Sequence, residues 1–507
     1  MPRRFSVYLP LILILALGLG IRLYDLTDPP FDFHPTRQLR SALIARGLYY
    51  AALDDAPEWQ RETAVAQWKR EAVIEPPVME RLSAGVYRLL GTEALWVPRL
   101  LSSLFWMLGA GALLLLGREV GAWGAGVLAA VYFVFLPYGM IASRAFQPDP
   151  LMVALMAGAL WAAVRWDQRR TMKAAVLVGV LAGAAIFVKT VAIFMLGGAL
   201  AGLVLFRESR IEDRKSKIDL RSSIFDSQVW LVAALVLLPT ALYYVYGLWI
   251  DGFLRQQLGF RFFPEMWRDP AFYIRWVEMA TDIAGFLVVL AGLVGVFLWR
   301  ERAQRGLAAG MWLGYVAYSL TFPYHTITHD YYQLPLIPLA AISLIPVGAL
   351  ILEGVARLEG RKWAYAALLG AVTLGVLFKV WDARVILARE DFREAESEWG
   401  VYLELIPPGA SIIALTKTYG YPLAYYGWVD ADIWLGENDE ELRVLAGQSA
   451  EEFEANQYAK LEGRDYFLIT NMGAYDEQPE LKAYLTGSFA VFAAGDGYLV
   501  FDLNTPK

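Results

Sequence analysis

Cysteine is absent from the 507 residues. That excludes disulfides, thiolate metal sites and a cysteine nucleophile. Histidine is scarce, and three residues are too few for a histidine-rich metal cage. Charge is thin as well: Asp, Glu, Lys and Arg make up 19% of the chain, against about a quarter in ordinary soluble domains. What replaces them is apolar, 57% of the residues, with 18 Trp. Such a composition belongs to a polytopic α-helical membrane protein. Neither an internal repeat nor a low-complexity tract breaks the pattern. The net charge of -6 is spread unevenly along the chain, and a nucleic-acid partner is not expected.

A helix needs roughly twenty mostly apolar residues to cross a bilayer. About eleven stretches are expected to do so: 5–24, 95–116, 123–142, 150–166, 174–188, 190–206, 228–248, 283–299, 307–323, 334–352 and 363–381. Arg3 and Arg4 precede the first, and no small-residue cleavage site follows it, so it reads as a retained anchor. Lys and Arg then fall in alternate loops: Arg118, the group Arg165, Arg169, Arg170 and Lys173, the run 207–221, then Arg300, Arg302 and Arg305, and finally Arg357, Arg361 and Lys362. By the bias of basic residues toward the cytoplasm, these loops and the N-terminus lie inside. Segments 25–94, 249–282 and everything after about 382 lie outside. The expected setting is an inner or plasma membrane, crossed many times, with the C-terminal domain on the outer face.

Two domains are expected. Residues 1–381 form the membrane part, including the first outer loop, 25–94, which is too long for a simple connector. Pro35, Pro57 and the pair Pro76-Pro77 each suit a helix's first turn, so three short helices are expected in it. Leu39, Ala42, Leu43, Tyr50 and Leu53 make one apolar stripe, and Val78, Leu82, Val86 and Leu89 another. Helices of that kind lie on membrane surfaces. Residues 382–507 are richer in charge and read as a small soluble α/β domain. Its strands are expected at 411–416, 465–470 and 498–503, its helices at 395–406 and 438–457, and "AAGDGY" as a hairpin turn.

Polar side chains at membrane depth are costly and usually functional. Here the candidates gather at the outer ends of the spans. The stretch "PPFDFHPTRQLRSALIARG" (29–47) carries Asp32, His34, Arg37, Arg40 and Arg46 directly after the first span. Glu75 precedes Pro76-Pro77. "SRAFQPDP" holds Arg144 and Asp149, "IFVKTVAIF" holds Lys189, and "YHTITHDYYQLP" holds His325, His329, Asp330, Tyr331 and Tyr332. Each also has a structural reading. Asp32 can cap a helix, Arg144 can pair with Asp149, and Lys189 can snorkel. The spacing of His325 and His329 suits a metal if the segment is helical. The run 207–221 reads as topology-setting charge.

The spacing of these motifs resembles that of the GT-C glycosyltransferases of the protein O-mannosyltransferase-like class, which includes the aminoarabinose transferases of lipid A. The resemblance spans about residues 5–350. It is carried by "EPPVMERLSAGVYRLLGTEALWVPRLLSSLFWMLGAGALLLLGREVGAW" (75–123), "SRAFQPDP", "FVKT", "YYQLPLIP" and "HPTRQLRSALIAR". The family's Asp-Glu pair is not intact: Asp32 lies two residues before a gapless match, which puts His34 and Pro35 at those positions. Glu75 stands where relatives often have Lys. The resemblance implies an inverting transfer of sugar from a polyprenyl-phosphate donor to a hydroxyl of a glycan, lipid or protein acceptor, at the outer membrane face. The catalytic candidates are Asp32, His34 and Glu75. Those for the donor phosphate are Arg37, aligned with the motif arginine, with Arg144, Lys189, His329 and Tyr332. A divalent metal ion would be held by Asp32, Glu75 and Asp149. The rival class is a membrane transporter or lipid flippase. Against it stand the absence of an inverted hydropathy repeat and a first loop for which transport has no evident use.

Overall fold

The computed structural model describes residues 2–73, 75–207, 226–255, 262–407, 409–445 and 447–506. Beyond Arg207, the basic run 207–221 lies outside the described residues. The chain forms two compact units. The first comprises Met1–Leu26, Val73–Met79 and Trp96–Arg389; the second comprises Thr27–Ala72, Glu80–Leu95 and Glu390–Lys507.

In chain order the helices of the membrane part are α1 (Pro2–Leu23), α2 (Pro35–Tyr50), α3 (Glu58–Arg70), α4 (Val78–Leu90), α5 (Trp96–Glu119), α6 (Trp123–Phe135), α7 (Pro137–Ala142), α8 (Asp149–Arg169), α9 (Met172–Val188), α10 (Ala192–Leu205), α11 (Ser227–Val245), α12 (Pro270–Ala284), α13 (Phe286–Leu298), α14 (Arg302–Thr321), α15 (Pro323–Thr328), α16 (Leu336–Arg357) and α17 (Arg361–Leu387). Every stretch expected to span falls largely on one of these helices or on two joined by a break. The break after α6 is at Leu136, whose extended backbone is what a following proline imposes. That between α12 and α13 is at Gly285, where φ is +89° and the chain bends by 94°.

Among the described residues, four helices are long and apolar enough to cross a membrane: Trp96–Glu119, Ser227–Ile250, Asp330–Arg357 and Arg361–Leu387. The bent pair α12–α13 is a fifth if it counts as one span. The other apolar stretches sit on shorter or less apolar helices, such as Met172–Val188 and Ala192–Leu205. The chain is thus a multi-pass helical membrane protein in its composition and its apolar helices.

Packing in the first unit depends on small residues, as expected where lipid removes the hydrophobic drive between helices. The contact of α10 with α14 is backbone on backbone. A Cβ at Gly202 would overlap the Gly306 carbonyl oxygen, one at Gly198 or Gly310 the carbonyl of the other, and one at Gly314 the Phe194 carbonyl. Residues 194, 198 and 202 on one helix, and 306, 310 and 314 on the other, repeat every fourth position and so share one face.

Three buried arginines hold the chain around the end of α1. Arg22 donates from Nε to Ser143 Oγ (2.6 Å) and from its terminal nitrogens to the carbonyls of Gly18 (2.7 Å) and Val134 (2.9 Å). Arg99 donates to the Leu26 carbonyl (2.9 Å). Arg144 donates to the carbonyls of Tyr24 and Asp25, each at 2.7 Å. Each spends donors on carbonyls at the end of a helix or just past it, where the helix has no partners of its own for them.

The second unit holds the loop helices and the C-terminal sheet. The three loop helices start where the prolines place them. On α4, Leu82 and Leu89 are exposed while Met79, Ser83, Ala84 and Tyr87 are buried, so the stripe 82–86–89 faces outward. On α2 the apolar stripe is instead inside: Leu39, Ala42 and Leu43 are fully covered. The C-terminal part runs α18 (Ala395–Leu405), β1 (Ile412–Leu415), α19 (Tyr421–Tyr425), β2 (Ala431–Ile433), α20 (Glu437–Leu445), α21 (Ala450–Ala459), β3 (Tyr466–Ile469), α22 (Met472–Asp476), α23 (Pro479–Ser488), β4 (Phe489–Gly495) and β5 (Tyr498–Pro506). The sheet order is β2-β1-β3-β5-β4. β1 is parallel to β2 and β3, while β5 is antiparallel to β3 and β4. Ile413, Leu415, Phe467 and Phe501 pack on one face, and Ile412, Ala414, Leu468 and Val500 on the other. Burial on both faces is why β1 reads as an unbroken apolar run rather than an alternation.

α2 and α3, expected with the membrane part, pack with the C-terminal residues. Arg46 donates to the Tyr425 carbonyl (2.6 Å), Gln67 to the Ala424 carbonyl (3.0 Å), and Arg70 pairs with Asp430 and, at 2.6 Å, with Asp432.

Candidate functional site

The candidate residues fall into two sets, one in each unit. In the first unit, Asp149 opens α8 and Lys189 sits just past the end of α9. Their side chains meet at 2.7 Å, Nζ to Oδ1, and both are buried. Lys189 lies 5.2 Å from the centre of the Tyr331 ring and 5.3 Å from that of Tyr332. Of the three donors on an ammonium, one is committed to Asp149. The second carboxylate oxygen of Asp149 is buried without a hydrogen-bond partner, as are both amide atoms of Gln147, two residues before it. A buried polar atom is normally satisfied, and these three unmatched atoms lie within three residues of one another.

The segment 323–333 closes around the same lysine. His325 stacks on Tyr332 with ring centres 4.9 Å apart, and His325 and His329 are 5.2 Å apart. His329 lies 5.8 Å from Tyr332 and 5.6 Å from Tyr331. The segment is a short helix, α15, followed by a single 3-10 turn over Asp330–Gln333. His325 is helical and His329 lies just past the end. Tyr315 donates to Gln333 (2.6 Å) and Tyr318 to the Tyr332 carbonyl (3.0 Å), which fixes the turn from behind. The structure therefore brings Asp149, Lys189, Tyr332 and His329 into one aromatic-walled cluster.

Arg144 donates from its two terminal nitrogens to the Tyr24 and Asp25 carbonyls, while Asp149 pairs with Lys189. Glu75 is half-buried in the 73–79 segment of the first unit.

In the second unit, Asp32 lies in the bend before α2, and His34 is the residue that caps it. His34 takes the left-handed conformation, φ +43°, and no side chain caps the helix start. Its carbonyl accepts from the amides of Arg37 (3.0 Å) and Gln38 (3.2 Å). Gln38 in turn donates to the Phe33 carbonyl, which ties the bend to the helix. A histidine at positive φ is uncommon, and such strain is held only where surroundings enforce it. Asp32, His34 and Arg37 are all partly exposed.

The two other arginines of the 29–47 stretch are structural. Arg40 pairs with Glu71 at 3.2 Å, and Tyr421 donates to the same carboxylate at 3.0 Å. Burial pushes the Glu71 carboxyl up, against the opposing pull of Arg40, the Tyr421 hydroxyl and Arg70. Burial likewise pushes the Tyr421 hydroxyl up, with Glu71 adding to it and Arg40 and Arg37 opposing. Arg46 is buried against Glu93 (2.9 Å) and lies between the rings of Tyr425 (3.8 Å) and Trp428 (4.1 Å). Neither role was visible in sequence, because the partners lie 31 to several hundred positions away.

Among the described residues, no three of His, Asp and Glu form a group that would hold a metal ion. Asp149 pairs with Lys189.

Residues 74–244 match the family model described as dolichyl-phosphate-mannose-protein mannosyltransferase. Three solved structures share the fold. ArnT from Cupriavidus metallidurans, bound to undecaprenyl phosphate, is 16% identical with a TM-score of 0.60, over 97% of this chain and 98% of that one. The archaeal oligosaccharyltransferase AglB from Archaeoglobus fulgidus, in complex with an inhibitory peptide and a dolichol-phosphate, is 12% identical with a TM-score of 0.56, over 98% and 74%. The arabinofuranosyltransferase AftD from mycobacteria is 17% identical with a TM-score of 0.53, over 97% of this chain and 40% of that one. No curated protein matches the chain. Family segment and fold both agree with the GT-C resemblance read in the motifs.

Proposed function

We propose that this chain is an integral membrane glycosyltransferase. It moves a sugar from a polyprenyl-phosphate donor to a hydroxyl of a glycan, lipid or protein acceptor at the outer membrane face, with inversion at the anomeric carbon. The observation that carries this reading is the buried Asp149–Lys189 pair, inside the segment matched by the mannosyltransferase family model, with the rings of Tyr331 and Tyr332 beside the lysine. The bound phosphates named for ArnT and AglB support the donor class.

The chemistry needs two things. An acceptor hydroxyl is far too weak an acid to ionise near neutral pH, so a positioned base must take its proton as the oxygen attacks the anomeric carbon. Asp32 is assigned that role, with His34 and Glu75 as the alternatives. The bond from the anomeric carbon to the phosphate oxygen breaks as the new glycosidic bond forms on the opposite face. Its electron pair leaves with the polyprenyl phosphate, and that growing charge needs cations already in place. Lys189 is assigned to it, with Arg37 on its match to the motif arginine. Arginine's fork suits a phosphate. Tyr332 and His329 supply further donors beside Lys189.

Lys189→Met should weaken binding of polyprenyl phosphate more than about ten-fold, since a charge-assisted hydrogen bond is worth about 1.5–3 kcal/mol. It should also destabilise the fold, because removing one partner of a buried ion pair costs about 3–5 kcal/mol. The double variant Lys189→Met with Asp149→Leu separates the two effects. Replacing both charges by apolar groups is close to neutral for stability, so thermal stability should return while binding stays lost. Wild-type donor affinity in the folded double variant would remove Lys189 from the site.

Orientation is assigned by the loop charges, with the N-terminus cytoplasmic and the α/β domain outside. A reporter that is active only in the cytoplasm, fused after Lys507, should stay silent. A working reporter there would reverse the assignment.

A further inference from the structure

Between Tyr332 and Leu334 of "YYQLPLIP" stands a glutamine, Gln333, that is completely buried. It closes the 3-10 turn that carries Tyr331 and Tyr332. A buried amide is costly unless both its ends find partners, and here both do. Gln333 Oε1 accepts from the Tyr315 hydroxyl (2.6 Å), and Nε2 donates to the Thr326 carbonyl (3.0 Å). The Thr326 carbonyl can only accept, which fixes which way the amide faces. The Tyr315 hydroxyl in turn accepts from the Trp276 indole N–H (2.9 Å) on α12. One run of hydrogen bonds therefore crosses from α12 through α14 to both halves of the segment 323–333, the helix α15 and the turn after it.

The residues tied together are neighbours of the site. Thr326 follows His325, and Gln333 follows Tyr332. Joining 326 to 333 brings those two neighbours together, and their rings stack at 4.9 Å. Tyr318, one turn after Tyr315 and so on the same face of α14, donates to the Tyr332 carbonyl (3.0 Å). α14 is itself packed on α10 backbone to backbone, so both tyrosines reach out from a rigid support. The rings of Tyr331 and Tyr332 then stand 5.2 and 5.3 Å from Lys189 Nζ. Side chains that hold a ligand need their own positions locked by packing and hydrogen bonds, because a displacement of about 1 Å is enough to spoil a site.

We infer that Gln333 is a positioning residue for the donor phosphate: its fork between Tyr315 and Thr326 sets the place of the Tyr332 hydroxyl beside Lys189. The inference rests on the reading of Lys189 and Tyr332 as phosphate ligands. Gln333 is fully covered and does not touch the donor. It acts through the turn. Its nearest substitutes fail the same demand. Glutamate has no donor for the Thr326 carbonyl, asparagine is one methylene short, and methionine has the length without the amide.

The test is the affinity of the full chain in detergent for undecaprenyl phosphate. Gln333→Met and Tyr315→Phe should each weaken binding about five-fold, the scale of one hydrogen bond. Tyr315→Phe keeps the ring and loses only the hydroxyl, so it reports even if Gln333→Met fails to fold. In a Tyr332→Phe background the hydroxyl being positioned is already gone, and Tyr315→Phe should then cost no more than about two-fold. A role confined to stability would cost the same in both backgrounds. Unchanged affinity in folded Tyr315→Phe, or equal losses with and without the Tyr332 hydroxyl, would overturn the inference and leave the phosphate site standing. Undecaprenyl phosphate that binds as well to the double variant Lys189→Met with Asp149→Leu as to wild type would remove the phosphate site itself, and the inference with it.

Discussion

Asp32→Asn should lower turnover by about 10²–10⁴-fold, the range lost with a positioned general base, while binding of polyprenyl phosphate stays near wild type. The substitution keeps the size of the side chain and most of its hydrogen bonding. Only its basicity goes. Asp32 is suited to the role by where it stands: in the bend before α2, partly exposed, three residues before the first turn of an uncapped helix. The bend is held by Gln38 and by the strained His34, which limits the motion of the carboxylate. Steady-state turnover and donor affinity, measured together on Asp32→Asn, His34→Ala and Glu75→Gln, assign the base. Near-normal turnover in Asp32→Asn with collapse in one of the others moves the role to that residue. Loss of donor binding without a further loss of turnover would mean that Asp32 shapes the loop instead.

The second large effect concerns the fold. Gly310→Val should leave little folded protein. Its Cβ would overlap the Gly198 carbonyl, and neither helix backbone can yield without breaking the facing contacts at Gly202–Gly306 and Gly314–Phe194. Overpacking of a well-packed site typically costs about 1–3 kcal/mol, and backbone on backbone is the case with least room to relax. Helix pairs in lipid depend on such close approach. As a control, Gly197→Val places its Cβ on the same helix where nothing lies within 4 Å, and it should be tolerated. Yield of monodisperse protein and thermal midpoint read both variants. Wild-type behaviour of Gly310→Val would show that α10 and α14 are not packed as described.

Much of the helical layout was legible because its signals are local. Prolines mark the starts of α2, α3 and α4, and long apolar runs mark α5, α11, α16 and α17. The hairpin turn between β4 and β5 is announced by its Asp-Gly. β2 went unseen because three residues, "ADI", are too short to show a period. β4 went unseen because its burial does not alternate and its register shifts twice. The reach of individual side chains was less legible. Asp149 and Lys189 were both marked as candidates, and their 40-residue separation hid that they meet. Nothing local reveals that the Arg144 fork closes on carbonyls about 120 positions earlier. Arg40 and Arg46 read as part of a binding wall, yet their partners Glu71, Glu93 and Tyr425 make them struts. The packing of α2 and α3 on the C-terminal residues was hidden for the same reason: polar contacts between distant segments leave no trace in composition.

The account stands or falls on transfer itself. Purified protein in detergent, with no membrane and therefore no gradient, should move sugar from a polyprenyl-phosphate donor to a hydroxyl acceptor. Free polyprenyl phosphate should appear in step with the glycoside, and the new linkage should have the opposite anomeric configuration to the donor, as read by NMR of the product. Intact donor in every acceptor mixture, together with donor movement across the bilayer by the same protein in vesicles, would contradict the account and make the chain a lipid transporter.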